Sequence, residues 1–189
     1  VKNLRTLVGV TIIVLIAGVL VAIWYAGKGG VQRASTQAPV LGTARVGQSA
    51  PEFAVATNQG YFNLAQTRKP VFLEVFATWC PHCQRETAVI DKLYAKYKDR
   101  VQFVAVTGSK IGMDRQSPES EEDTLNYAQE FHAHYPLAFD GSEQVAKQYL
   151  QGGFPTLVVI GKNKKIVYLT SGETSFPELD SAIKSALSG

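Results

Sequence analysis

Two cysteines, Cys80 and Cys83, stand in the stretch Ala77-Thr78-Trp79-Cys80-Pro81-His82-Cys83, and the 189-residue chain has no others. A single pair two residues apart is not a framework of structural disulfides. It is also half of a four-ligand zinc site at most, and His82, His132 and His134 do not supply zinc-finger spacing from it. The chemistry left to the pair is thiol–disulfide exchange. The plain alternative is two reduced cysteines packed as small hydrophobes. Against that alternative, Gln84, Arg85 and Glu86 follow the pair directly.

The flanking segments explain why the pair should react. Val71 to Ala77 reads VFLEVFA, an almost continuous apolar run of the kind found in a strand covered on both faces. From Cys80 to about Tyr97, the residues Glu86, Ile90, Leu93 and Tyr97 recur at helical spacing. A C-x-x-C that follows a strand and opens a helix is a far stronger signal than the same pattern elsewhere. Helical backbone brings residues three apart onto one face, so the two sulfurs can meet at the roughly 2.05 Å of a disulfide. Free N–H groups and the helix dipole stabilise a thiolate at the helix start. His82 adds to this when protonated. Cys80 is therefore the expected nucleophile, with a pKa well below the free value of about 8.5. Cys83, one turn deeper, is the expected resolving thiol. The cycle is attack on a substrate disulfide, a mixed disulfide at Cys80, and resolution by Cys83.

Glu74 interrupts the apolar run six residues before Cys80. A carboxyl on a covered strand costs several kcal/mol unless it is neutral or hydrogen-bonded, so its pKa should rise. Raised into the neutral range, it could exchange a proton with Cys83. The other reading of Glu74 is an edge position with an ordinary ion pair. Phe154-Pro155-Thr156 opens a later apolar run, Thr156 to Ile160. Proline does not sit in mid-strand, and a cis peptide is one way to turn the chain at a strand start. Trp79 reads either as a core residue or as a lid beside the pair. His132 and His134 read as surface or capping residues.

The rest of the chain supplies the frame. Glu52 to Ala56 and Tyr61 to Leu64 suggest a small hairpin around Asn58-Gln59-Gly60. Val101 to Thr107 has strand character, Gly108 to Ser120 reads as a loop, and Asp123 to Tyr135 reads as a helix with Leu125, Ala128 and Phe131 towards one face. Leu137 to Phe139 is a very short strand candidate, and Ser142 to Leu150 a helix with Val145, Ala146 and Tyr149 on one side. Thr156 to Ile160 and Lys165 to Thr170 flank a turn. The last helix begins at a capping-box pattern, Ser175 with Glu178, and carries Phe176, Leu179, Ile183 and Leu187 as its buried stripe. Strands alternating with helices, then a terminal hairpin and helix, imply an α/β fold with a mixed central sheet and helices on both faces.

Before this domain, Thr6 to Gly27 contains no charged side chain. Such a run reaches roughly 33 Å as a helix, about one hydrocarbon core. Trp24 and Tyr25 lie near its far end, where aromatic rings favour the interface. A cleaved signal peptide is the rival, but its apolar region is normally shorter. Lys2 and Arg5 precede the run while Lys28 and Arg33 follow it, so charge alone does not orient it. Residues 28–47 have the Gly-, Ser-, Thr- and Pro-rich composition of a tether. The formal net charge is +3, and Lys2 and Arg5 lie outside the domain, which is left near neutral. A concentrated basic face for nucleic acid is not expected. Neither a glycine-rich nucleotide loop nor any cofactor motif is present.

Trp79-Cys80-Pro81-His82-Cys83 after VFLEVFA, with Phe154-Pro155-Thr156 about seventy residues on, resembles the thioredoxin superfamily. The order of elements is most similar to its membrane-anchored TlpA/ResA-like branch, also called the alkyl hydroperoxide reductase/thiol-specific antioxidant-like group. Matching features are Gly47 to Phe53, the extra helix near Asp123 to Tyr135, and Pro136 to Asp140. The resemblance covers about residues 46–188. It implies that Cys80 is the exposed nucleophile and Cys83 the resolving cysteine. It further implies that Pro155 is the cis-proline facing the pair, that Glu74 is the buried acid, and that Trp79 is the aromatic residue before the first cysteine. Pro81, His82 and Phe154 complete the rim. The Pro81-His82 dipeptide departs from the branch and looks like that of DsbA-type oxidases. A stabilised thiolate makes the corresponding disulfide the better oxidant.

The resemblance also implies a bacterial cytoplasmic-membrane protein. In that arrangement residues 1–5 are inside, 6–27 form the anchor, 28–47 the linker, and 48–189 a thioredoxin-like domain on the outer side. Expected partners are exported proteins with cysteines or disulfides, apocytochrome c among them, and a membrane redox partner that recycles the pair. The expected function is extracytoplasmic disulfide exchange, in cytochrome c maturation or, alternatively, as a DsbA-like oxidase. A peroxiredoxin-like peroxidase, which the opening of the domain also resembles and for which Thr78 lies near the cysteine, and a non-catalytic binding protein are the remaining alternatives.

Overall fold

The computed structural model describes residues 42–189 and, ahead of them, the single residue Ala17. Apart from Ala17, the expected anchor, and with it most of the expected tether, lies outside the described residues. Among the described residues no helix is long and apolar enough to cross a membrane.

Seven strands and four helices are described. They run β1 (Ala54–Thr57), β2 (Gly60–Asn63), β3 (Val71–Phe76), α1 (Pro81–Tyr97), β4 (Gln102–Thr107), α2 (Glu121–Glu130), β5 (Leu137–Ala138), α3 (Gln144–Tyr149), β6 (Thr156–Ile160), β7 (Ile166–Ser171) and α4 (Phe176–Ser188). β1 and β2 form the expected hairpin. The other strands form one mixed sheet in the order β5-β4-β3-β6-β7. β3 runs parallel to β4 and antiparallel to β6, which pairs antiparallel with β7.

β3 is central, and all six of its residues are buried. Its period of two divides the core. Val71, Leu73 and Val75 pack with Val104, Val106, Val158, the hairpin's Phe62 and α3's Val145 and Tyr149. Phe72 and Phe76 face the other way, with α1's Ile90 and Leu93, α2's Tyr127 and α4's Leu179 and Ile183. Glu74 alternates with the second set and so lies on the same side of the sheet as Cys80 and Cys83, which belong to that cluster.

Several boundaries depart from the sequence reading. The second helix starts earlier and stops earlier than Asp123 to Tyr135. Ser120 and Asp123 close a full capping box that fixes its start, and it ends at Glu130 with Phe131 as its C-cap, followed by His132 in the left-handed region at φ 54°. With that phase Thr124 and Tyr127 are buried, while Leu125, expected inward, is 43% exposed. The capping box expected at Ser175 is absent: the Ser175 side chain makes no cap bond, and Glu178 accepts from the Tyr168 hydroxyl at 2.8 Å instead. The ordered fold also begins before Gln48. Gly42 N–H donates to Leu150 O at 2.6 Å, Ala44 N–H donates to Gln148 O at 2.9 Å, and Ala44 is buried. A side chain at position 42 would bring its Cβ to 2.2 Å from Gln148 O, so this close crossing needs glycine.

Candidate active site

The turn Ala77–Trp79 leaves the end of β3 and delivers Cys80 as the N-cap of α1, in extended backbone with φ −83° and ψ 116°. Pro81 fills the first helical position, where its missing N–H costs nothing. Gln84 ties the turn to the helix by donating from Nε2 to Thr78 O at 3.1 Å. The first turn of α1 carries no acidic residue, so nothing there opposes a thiolate.

Both cysteines are in the dithiol form. Cys83 is wholly buried, as expected of the inner thiol. Cys80, which the resemblance placed at the surface, is only 4% exposed. Its Sγ lies 3.6 Å from the Phe154 carbonyl oxygen. Phe154–Pro155 is a cis peptide, as the resemblance implied, and it brings the start of β6 against the pair. Trp79 meets Phe154 edge-on, ring centres 6.2 Å apart. Pro81 and His82 are exposed, and Pro155 is buried.

The Cys80 thiol is acidified to about 6. The hydrogen bond from the Cys83 thiol contributes most. Burial opposes it, and the backbone N–H groups of Cys83 and His82, with the charge of His82, add further stabilisation. Cys83 moves the opposite way. Burial raises it first, then its bond to Cys80, then the nearby Glu74 carboxyl. One sulfur is thus held as a thiolate and its partner as a thiol, the asymmetry an exchange cycle requires.

Glu74 is 1% exposed, which removes the edge-position reading. Burial, then repulsion from Glu86, raise its pKa well above the ordinary carboxyl range. Tyr135 Oη donates to Oε2 at 3.3 Å, while Oε1 finds no hydrogen-bond partner among the described residues. The negative sulfur of Cys80 raises Glu74 further, and Glu74 in turn raises Cys83. These three groups therefore share one electrostatic neighbourhood.

Other residues join the site that the sequence left without a role. Glu86, placed on the buried stripe of α1 by its spacing, accepts from Thr174 N–H at 3.0 Å and is raised to about 7 by burial. Glu119, inside a polar loop where nothing marked it, accepts from Thr78 Oγ1 at 3.0 Å and is likewise raised to about 7 by burial. Glu173 approaches His82 Nδ1 at 2.5 Å and Arg85 Nε at 3.1 Å. Arg85 first, then His82, pull Glu173 down to about 2. His132 and His134 are exposed, and His134 pairs with Asp91 at 3.0 Å.

Residues 45–183 match the profile of the Redoxin family. Among curated proteins, the chain is 30% identical over 142 residues to the thiol-disulfide oxidoreductase ResA of Geobacillus kaustophilus, covering 74% of this chain and 77% of that one. It is 28% identical to ResA of Bacillus thuringiensis over 143 residues, 74% of this chain and 78% of the relative. Among solved structures, one from Chlorobium tepidum provisionally identified as the thiol:disulfide interchange protein DsbE superposes with a TM-score of 0.66 at 27% identity, over 76% of this chain and 99% of that one. Another, from Bacteroides thetaiotaomicron and provisionally identified as a protein disulfide isomerase, gives 0.67 at 29% identity, over 79% and 94%. The chain belongs to the Redoxin family, among the TlpA/ResA-like thiol–disulfide oxidoreductases of the thioredoxin superfamily.

Proposed function

We propose that the domain exchanges disulfides with exported proteins on the outer side of a bacterial cytoplasmic membrane, with Cys80 as nucleophile and Cys83 as resolving thiol. The observation that carries this reading is the place of Cys80 as N-cap of α1, its sulfur 3.6 Å from the Phe154 carbonyl and Cys83 buried one turn inward. In the reducing direction the Cys80 thiolate attacks one substrate sulfur. A Cys80–substrate bond forms, the substrate disulfide breaks, and the other substrate sulfur leaves as a thiolate. Cys83 then loses its proton and attacks Cys80, releasing the second substrate thiol and leaving Cys80–Cys83 oxidised. Glu74, buried beside the pair with one oxygen unpartnered among the described residues, takes the Cys83 proton in this second step. Trp79, Pro81, His82, Phe154 and Pro155 shape the rim on which the substrate chain rests.

The apolar run 6–27 supports a membrane anchor, and the ResA relatives support thiol–disulfide exchange; in this reading the domain lies outside the cytoplasm, acts on apocytochrome c cysteines and is recycled by a membrane redox partner. A second reading, a disulfide-forming oxidase, starts from the Pro81-His82 dipeptide between the cysteines. The reduction potential of the pair separates the two. A value near about −270 mV supports the reductase and one near about −120 mV the oxidase. For exchange itself, Cys80→Ser is expected to abolish dithiothreitol-coupled insulin reduction. Unchanged turnover in that variant would remove the reading.

A further inference from the structure

The first turn of α1 holds no acid of its own, yet a carboxylate reaches it from another part of the chain. Glu173 lies between β7 and α4, and both of its neighbours are tied to residues around the cysteine pair. Gly172 N–H donates to Pro155 O at 2.8 Å, and Thr174 N–H donates to Glu86 Oε2 at 3.0 Å. Gly172 turns this corner at φ 94°, backbone that a residue without a Cβ adopts freely. The Glu173 carboxylate is thereby set against two exposed side chains of α1. Arg85 donates from Nε to Oε1 at 3.1 Å and to Oε2 at 3.2 Å, and from Nη2 to Oε1 at 2.5 Å. His82 Nδ1 lies 2.5 Å from the same Oε1. That oxygen is shared by both side chains, which approach each other to 2.9 Å.

Both partners of Glu173 also act on the nucleophile. After the larger effect of the Cys83 bond, the charge of His82 helps to acidify Cys80. Arg85 is held protonated first by its bond to Glu173, and the ionised Cys80 sulfur adds to this. We propose that Glu173 is the positioning residue that sets the redox poise of the Cys80–Cys83 pair, offsetting the positive charge that His82 and Arg85 direct at the Cys80 sulfur. The proposal rests on the reading of the pair as the exchanging centre, and it changes what the Pro81-His82 dipeptide implies. A stabilised thiolate favours the dithiol and makes the disulfide the better oxidant. The dipeptide alone pushes that way. Glu173, supplied from 91 positions along the chain, draws the pair back towards the reducing side. Isolated exposed ion pairs contribute little, but a bidentate arginine within a group of three charges lies at the upper end of their range.

The test is equilibration of the full-length protein with glutathione at pH 7. Protein dithiol and glutathione disulfide give protein disulfide and two glutathione thiols, and the reduced fraction is read by alkylation and mass spectrometry. Glu173→Gln keeps the size and one acceptor oxygen and loses the charge. It is expected to shift the equilibrium about fivefold towards the reduced protein, a potential less negative by about 20 mV. In a background carrying His82→Gln and Arg85→Gln the shift should be smaller, because nothing then holds the carboxylate over the first turn. An unchanged or more negative potential in Glu173→Gln overturns the proposal, and so does an equal shift in the double background. A parent pair that never equilibrates with glutathione would instead overturn the exchange reading. The thiolate absorbance of Cys80, titrated in parent and Glu173→Gln, tests Glu173 even then: its inflection should fall in the variant, and an unmoved inflection counts against the proposal.

Discussion

Tyr135 donates its hydroxyl to one oxygen of Glu74 at 3.3 Å, and the other oxygen of that buried carboxyl is left without a partner among the described residues. A permanently ionised group would not be stable there. In the proposed cycle this group takes up and releases a proton, with Cys83, whose ionisation it opposes, as the donor. Glu74→Gln keeps the shape and the Tyr135 bond but cannot carry the proton. Release of substrate from the Cys80 mixed disulfide should slow by about 10²-fold, the lower end of what a positioned acid–base group contributes. Stopped-flow measurement of the resolving step checks this, and an unchanged rate would remove Glu74 from the cycle.

The same burial makes a stability prediction. Glu74, Glu86 and Glu119 all have folded-state pKa values above their unfolded ones. Between the two values the folded state binds more protons than the unfolded chain, so these groups lower stability as pH rises. For Glu86 and Glu119 the window runs from the ordinary glutamate value to about 7. Glu119→Gln, whose amide oxygen can still accept from Thr78, should match the parent at pH 4 and exceed it at pH 8 by on the order of 1–3 kcal/mol. Urea denaturation at the two pH values measures the difference.

Cys80 acts in the opposite sense. Its pKa is drawn down from the free thiol value of about 8.5 to about 6 on folding, so the reduced protein gains stability as pH rises through that window and loses it as pH falls back through 6. The oxidised protein has no such group. The melting-temperature gap between the two forms should therefore shift in favour of the reduced form from pH 6 to pH 9, by calorimetry on both forms.

How much of this was legible in the sequence differs from residue to residue. The run VFLEVFA reads as a central strand because all its positions are apolar save Glu74, and the structure buries every residue of it from Val71 to Phe76. The C-x-x-C pair is a local pattern, so its place at a helix start could be read directly. Leu125 misled because the cap at Ser120 and Asp123 starts α2 at Glu121, two residues earlier than the apolar pattern suggested. Ser175 and Glu178 have capping-box spacing, but the Tyr168 hydroxyl competes for Glu178. Glu119 and Glu173 left no signal, because their roles arise from contacts 41 and 91 positions away in the chain.

Gly42 tests whether residues 42–44 belong to the fold. Gly42→Ala would drive a methyl group into the Gln148 carbonyl, a clash with backbone that no rotamer relieves. The variant should lose about 1–3 kcal/mol if the segment stays in place, or release it if it does not. In either case the Ala44 amide, which donates to Gln148 O, exchanges faster with solvent. Unaltered exchange would mean the segment contributes nothing.

Capture of the covalent intermediate is the most direct test of the division of labour between the two sulfurs. Full-length protein carrying Cys83→Ser, incubated with a disulfide-bonded substrate, should accumulate a mixed disulfide through Cys80, located by mass spectrometry of the linked peptides. The same protein carrying Cys80→Ser should accumulate none, since its remaining sulfur is wholly buried and held as a thiol. A substrate adduct on Cys83 instead, or none on Cys80, would contradict the account.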